Sequence, residues 1–476
     1  MILIGLGSVI SLVGASEPGM FEPNLGEPDL PAVSSCLGGG VAEPIAVAQA
    51  LDLVRRQNPR VIGAEQELVK AQAAESGATA AFLPQVTGSL QGEAFHTENP
   101  GATTSIGSTV VGGVADRYTN YPTVGANWNL YNGGKDLAAY RAAQAGSRAS
   151  QADLAGQFND SFSAVLTAYN DLRKAQLALA QQARALARRT MIVERAAQRV
   201  EHGAGTGIAL DQARIARAQT ERERLKACRA VLDKSAALSQ AIGVRVTTGH
   251  VLAAAGPLPP PPEVPRNDVQ IDAAIEADPS VVAAHERVRE AKQKVDEARA
   301  GIYPTLAFVA RYDWLGQNPE DYTHAWRDTS RNSYRYGFVL QQNLFPYAAV
   351  QTAIASAEAD LTKTQAAYDE AYVAVQTKLR TALNAVSESQ GSAESARQST
   401  REAQHVEMLS QALYARGHAD LDTVDKAHID ADQEAEVAAE ADSDTLLNGW
   451  LSERALHPEG FAERLTRASV TGATQP

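Results

Sequence analysis

The chain has 476 residues, 44% of them apolar but only 6% aromatic, and a formal net charge of −13. This composition fits helices packed closely side by side better than a large globular enzyme core. The acidic balance argues against nucleic acid as the main partner, because a phosphate-binding surface needs a basic excess.

The first residues, MILIGLGSVISLVGAS, are apolar and then small. They resemble the core and cleavage region of a secretory signal, although the basic start is missing, and export is expected. Residues 1–43 read as a signal-like, flexible segment. Within it Cys36 ends VSSC, a candidate acylation site, although the preceding EPGMFEPNLGEPDLPA is acidic and proline-rich where an apolar run is needed. No later segment approaches the ~20 apolar residues of a membrane helix, so any membrane crossing has to be made of strands.

Residues 44–255 read as one unit: a helix, a strand pair over 85–131, and a long helical hairpin over 135–243. In QVTGSLQGEA, Val86, Gly88, Leu90, Gly92 and Ala94 alternate with Gln85, Thr87, Ser89, Gln91 and Glu93. In TVGANWNL, Val124, Ala126, Trp128 and Leu130 share one face. Period two with one apolar and one polar face predicts half-buried strands. Residues 97–120, polar and Gly-rich, read as an exposed loop. No proline occurs between Pro122 and Pro257. An interior proline costs a helix ~3 kcal/mol, so such a gap permits a very long helix. Phe158, Val165, Leu172, Leu179, Leu186, Val193 and Val200 recur every seven residues, a coiled-coil seam. A helix over 135–202 would be on the order of 100 Å long.

That helix ends at HGAGTGIALDQA, with Gly203, Gly205, Thr206, Gly207, Leu210 and Asp211. A phosphate loop needs a preceding strand and a third glycine where Ile208 stands. The glycines instead suit the left-handed end of a helix, with Thr206 capping the returning one. Beyond it, Cys228 falls in a helical run as a small packed residue. With two cysteines there is no CxxC or Cys/His cluster of metal spacing.

A proline-rich linker over 256–268, GPLPPPPEVPRND, leads into a second unit over 269–452. It has a helix, a strand pair over 304–345 and a hairpin over 347–452, before a tail over 453–476. Leu306, Phe308, Ala310, Tyr312 and Trp314 alternate with Ala307, Val309, Arg311 and Asp313. Tyr336, Phe338, Leu340 and Leu344 alternate with Gly337, Val339, Gln341 and Asn343. Residues 315–333 between them read as an exposed loop. A weaker apolar stripe, Tyr368, Tyr372, Val375, Leu379, Leu383 and Val386, follows in a stretch free of proline between Pro346 and Pro458.

The landmarks of the two units coincide. Asn58-Pro59 precedes Leu83-Pro84 by 25 residues, and Asp278-Pro279 precedes Tyr303-Pro304 by 25. Asn129-Leu130-Tyr131 matches Asn343-Leu344-Phe345, and a glycine follows each Asn by 74 residues, at Gly203 and Gly417. The chain is a tandem duplication. Its halves differ in sign: 17 basic and 10 acidic residues over 135–243, against 7 basic and 18 acidic over 346–451. Either these are two solvated faces that drifted apart, or the regions sit side by side and attract. The fold class is mainly α with β, a tandem-repeat chain of long coiled-coil helices plus four β-strands. Strands of ~10 residues suit a membrane barrel, but four cannot close one, since the smallest has about eight. An open edge cannot face lipid, so several chains must share one barrel.

These landmarks resemble the TolC-type outer-membrane efflux protein family. The resemblance is carried by Ala46, Ala50, Leu51, Asn58 and Pro59, by FLP, by NLYNGG, by GAGTGIALDQA and by YARGHADLDTVDKA, and it covers about residues 44–451. It implies a homotrimer: a 12-stranded β-barrel in outer-membrane lipid above a trimeric α-barrel tunnel in the periplasm. It implies a passive exit duct of a tripartite efflux or type I secretion system. Its partners would be a periplasmic adaptor protein and, through it, an inner-membrane pump. The hairpin tips at Gly203, Gly205, Thr206, Gly207, Leu210, Asp211 and Gly417 would form the periplasmic mouth and meet the adaptor. The family's constriction implies an aspartate ring at Asp422 and Asp425, three residues apart and so on one helix face. The segment after Gly417 is one residue short of the family pattern, which makes Asp420 a further candidate. A threefold acidic ring would attract cations and hold some carboxyl pKa values up. Asp420 and Asp422 equally suit a helix cap and first turn, and both roles can hold together.

Catalytic signatures are missing: no HExxH, GxSxG or GxxxxGK[ST] occurs, and the nine histidines are scattered. No enzyme activity, cofactor or metal site is expected. Arg188, Arg189, Arg195 and Arg199 read as an interhelical flank or an anion patch. The alternative to a duct is a structural coiled-coil protein of the periplasm or surface, which would leave the four alternating strands unexplained. A periplasmic adaptor would have one hairpin, not two.

Overall fold

An Asx-Pro pair opens the same helix in both halves. Asn58 accepts from the Arg60 amide at 2.9 Å and Asp278 from the Ser280 amide at 2.9 Å, each with proline as the first helical residue. Proline's fixed φ suits that position and its missing N–H is no loss there. The computed structural model describes residues 41–97, 104–106, 109–111, 115–245, 250–262, 268–318, 321–327, 329, 331–342 and 347–472. Cys36, nearly all of the signal-like opening and the Asn343-Leu344-Phe345 landmark lie outside the described residues.

The first half runs β1 (Val41–Ile45), α1 (Val47–Gln57), α2 (Pro59–Thr79), β2 (Gln85–Thr97), β3 (Thr104–Ile106), β4 (Thr109–Val111), β5 (Ala115–Asn132), α3 (Lys135–Glu201), α4 (Gly207–Ile242) and β6 (His250–Ala254). The second runs α5 (Asp268–Ala277), α6 (Pro279–Ala300), β7 (Thr305–Asn318), α7 (Tyr322–Arg327), β8 (Arg331–Gln341), α8 (Tyr347–Ala415), α9 (Leu421–Leu456) and α10 (Phe461–Gly472). The long helices have 67 and 69 residues, and the returning helices 36 each. At 1.5 Å per residue α3 is about 100 Å long. None of the described helices is long and apolar enough to cross a membrane.

Four strands form one antiparallel sheet in the order β2-β5-β7-β8. On one face stand Val86, Leu90, Val124, Trp128, Phe338 and Leu340, all largely exposed. The other is mainly polar, with Val309 and Val339 among its residues. The strands outrun the expected boundaries. β5 begins at Ala115, so much of the loop expected over 97–120 is ladder. It passes through Pro122, which pairs with Leu90 of β2, while the pairing to β7 skips Tyr121 and Pro122. A residue without an N–H is tolerated where one ladder is interrupted. The loop expected over 315–333 contains α7, which presses on β7. A Cβ on Gly316 would stand 2.0 Å from the Ala325 carbonyl oxygen, so only glycine fits.

The core lies midway along the helices. α1 contributes Leu51 and Val54, α3 contributes Phe162, Val165, Leu166, Tyr169, Leu172 and Leu179, and α4 contributes Val231, Leu238 and Ile242. The heptad seam is fully buried here, at Val165, Leu172 and Leu179, and half-buried toward the tip at Leu186, Val193 and Val200. The linker is part of this core. Leu258 and Pro259 are buried, the Trp450 indole N–H donates to the Pro259 carbonyl at 2.8 Å, and Tyr169 donates to the Gly256 carbonyl at 3.0 Å. The stretch expected as a tail is likewise packed, because Phe461 and Leu465, one turn apart on α10, are both buried completely. Residues 41–43, placed with the flexible opening, belong to β1, which pairs in parallel with β6. Cys228 is buried as expected and is also disulfide-bonded.

Truncating Trp450 removes the largest fully buried side chain. Trp450→Ala is expected to cost about 3–5 kcal/mol, read as a lowered thermal unfolding midpoint in detergent.

Candidate functional site

Both hairpins turn by the same backbone device. In the first, the Gly203 amide donates to the Val200 carbonyl at 3.1 Å and the Ala204 amide to the Arg199 carbonyl at 2.8 Å. In the second, the Gly417 amide donates to Tyr414 at 2.9 Å and the His418 amide to Leu413 at 2.9 Å. These are paired Schellman closures, each with a left-handed glycine, φ 72° at Gly203 and 75° at Gly417. The other two glycines of the first tip differ from expectation, as neither is left-handed. Gly205 is needed for close approach, since its Cβ would meet Arg199 Cβ at 3.0 Å. Gly207 merely begins α4, where nothing crowds it. Thr206 caps α4, accepting from the Ala209 amide at 3.3 Å. Leu210 is half-buried, and Asp211 is exposed and paired with Arg214 at 3.4 Å.

At the second tip Asp420 is the cap of α9, accepting from the Thr423 amide at 2.9 Å and from the Thr423 hydroxyl. The Thr423 hydroxyl, then its amide, then the more distant Arg199 charge hold this carboxyl below the usual aspartate value. Asp422 is exposed in the first turn. Asp425, half-buried, receives both terminal nitrogens of Arg195 on α3, at 3.2 and 3.4 Å. Asp422 and Asp425 therefore line one cleft of about 740 Å³ with Arg195, Arg199 and Gly205 of the first hairpin. Asp420 does not share it.

The cleft is the end of a longer ionic seam. α3 and α9 run side by side, and Arg188 and Arg195, one heptad apart, meet Asp432 and Asp425, one heptad apart, at 2.7 and 3.2 Å. Further up, Lys174 meets one Asp444 oxygen at 2.8 Å and Asn170 donates to the other at 2.9 Å. The opposite charges of the two halves are thus apposed within one chain. Of the four arginines singled out from sequence, Arg188 and Arg195 make these pairs, and Arg199 lines the cleft with Arg189. Two carboxyls escaped notice. Burial, and then Glu440, push Glu436 up to about 7 against a small opposing pull from Arg184. Burial also raises Glu440, which Lys174 offsets. The only sequence signal was the acidic excess over 346–451, which does not tell a buried acid from an exposed one.

The chain matches the family model described as outer membrane efflux protein over residues 50–244 and 270–448. It is 29% identical over 349 residues to the protein CyaE of Bordetella pertussis, covering 70% of this chain and 67% of that one. Its fold is similar to the outer membrane protein VceC of Vibrio cholerae, with a TM-score of 0.68 at 19% identity, over 86% of this chain and 95% of that one. It is also similar to the outer membrane channel CmeC of Campylobacter jejuni, with a TM-score of 0.72 at 15% identity, over 98% and 97%.

Glu436 binds its proton more tightly in the folded state, so between about pH 4.5 and 7 the native chain holds a proton the unfolded one has lost. Stability should therefore fall as pH rises through that window. Glu436→Gln should flatten the dependence of the unfolding midpoint on pH between 5 and 8, as read by thermal scans in detergent. The ion pairs are half-exposed, so salt should loosen the tips, and protease nicking near Gly203 and Gly417 should rise with ionic strength.

Proposed function

Because the chain belongs to the outer membrane efflux protein family and is an outer-membrane exit duct with its helices in the periplasm, we propose that it works as a homotrimer docked, through a periplasmic adaptor, to an inner-membrane pump. The observation that carries this is the sheet β2-β5-β7-β8, with one aromatic and apolar face and two edges without partners among the described residues. Backbone groups on those edges have to be paired in lipid. Joining β8 of one copy to β2 of the next, three times, closes a 12-stranded barrel. The apolar face then meets lipid and the polar face a wet lumen. α3 and α8 continue from the sheet as the tunnel wall. The duct is passive, and energy comes from the pump of a tripartite efflux or type I secretion system. A structural coiled coil would have no use for this sheet.

The tips form the periplasmic mouth. Asp422 and Asp425 supply the gate, with Asp425 tethered to Arg195 and Asp422 facing the opening, and Asp420 sets the start of the helix that carries them. The turn at Gly203, Gly205, Thr206 and Gly207, with Leu210 and Asp211, is the surface for the adaptor, and Gly417 shapes the gating turn. Three copies crowd carboxylates at the narrowest point, which attracts cations.

Membrane fractionation and sizing in detergent test the assembly: an outer-membrane trimer is expected, and a soluble elongated monomer or dimer would refute it. In planar bilayers, Asp422→Asn with Asp425→Asn should raise single-channel conductance and weaken block by multivalent cations. Unchanged conductance and unchanged block would remove the aspartates from the gate.

A further inference from the structure

Among the described side chains, the polar face of the sheet has one charged cluster, and it is basic. Strand register sets Thr87, Gly125, Arg311 and Arg335 side by side on one rung, and Ser89, Thr123, Asp313 and Ser333 on another two residues along each strand. Arg311 and Arg335 are direct cross-strand partners, an arrangement of like charges that is destabilising unless offset. Asp313 offsets it. Its carboxylate accepts from Arg311 Nε at 2.5 Å and from the Thr123 hydroxyl at 2.9 Å, and lies 3.8 Å from Arg335 Nη2. One aspartate faces two arginines, so each chain keeps one excess positive charge at this level.

That excess is open to solvent. The Arg335 side chain is 70% exposed, while Asp313, at 17%, is enclosed by its neighbours. Gly125 and Gly337 place no side chain beside the arginines. Among the described side chains, the other charge on this face is Glu93, six residues beyond Thr87 on β2 and roughly 20 Å away. The general charge of the protein does not explain the cluster, since the chain is acidic overall, at −13.

We propose that Arg311 and Arg335 form an anion-selecting collar at mid-height in the barrel lumen, able to hold multivalent oxyanions. This rests on the reading of the chain as a trimeric duct. The guanidinium fork matches phosphate and carboxylate oxygens, and Arg335 keeps most of its donors free for them. Three copies ring the lumen with a net positive field. A solute leaving through the duct crosses an acidic mouth first and a basic collar second, so the two ends filter opposite signs.

The test uses the full trimer in planar bilayers, with tripolyphosphate added from the side of the β3–β4 loop. The wild type should be blocked. Arg335→Gln should weaken that block about tenfold and shift the reversal potential in a KCl gradient toward cations. Asp313→Asn raises the excess charge and should strengthen block and shift the potential toward anions. Equal block and equal reversal potential in all three proteins, or no block of conducting wild type, would overturn the collar and leave the duct intact. A wild type that forms no pore would overturn the duct and the collar with it.

Discussion

A sheet of four antiparallel strands has two edges, and neither can be left facing hydrocarbon. The missing hydrogen bonds cost several kcal/mol per group in lipid, far more than packing of side chains can offset. In the proposed trimer, other copies of the same chain meet that demand. The alternating pattern of β2 and β8 matters only if these strands sit in a closed ring, one face to lipid and one to water. The long helices take their course from the same sheet, since α3 follows directly from β5 through two left-handed glycines, Gly133 and Gly134. Gly133 is also pressed against the end of α6, where an added Cβ would meet the Ala300 carbonyl oxygen at 2.6 Å.

Between barrel and tip, the helices are fastened mainly at one level. The large fully buried side chains, among them Trp450, Tyr169 and Phe162, gather there, and the linker prolines are held against them. Below it the seam thins to half-buried aliphatics and ion pairs. Stability therefore declines toward the tips. The ionic pairs there bind less firmly than apolar burial would, but they fix which helix lies beside which.

Much of this was legible in the sequence because it was written locally or by period. The heptads of α3, the Asx-Pro starts, and Gly203 and Gly417 each depend on a few neighbouring residues, and duplication presented them twice. What was missed depends on contacts between distant segments. Phe461 and Leu465 look like an ordinary tail until α1 and Trp450 are beside them. Pro259 reads as linker until the Trp450 indole donates to it. Pro122 lies within β5, just before the alternation read from Thr123, and the interruption of one ladder accommodates it. On the sheet, Arg311 and Asp313 were visible as a polar face, but Arg335 became their partner only through the register of β7 with β8. Glu436 looked like any acid on an acidic helix, and its burial against α3 comes from a helix more than 200 residues away in sequence.

The apposition of basic α3 with acidic α9 makes the two halves unequal partners in packing. A ring made from six identical hairpins would set each hairpin against its own likeness. With one half basic and the other acidic, each hairpin is instead set against its opposite. Because Arg188 and Arg195 face Asp432 and Asp425, each hairpin is the complement of the other, and two copies of either one set side by side would bring like charges together.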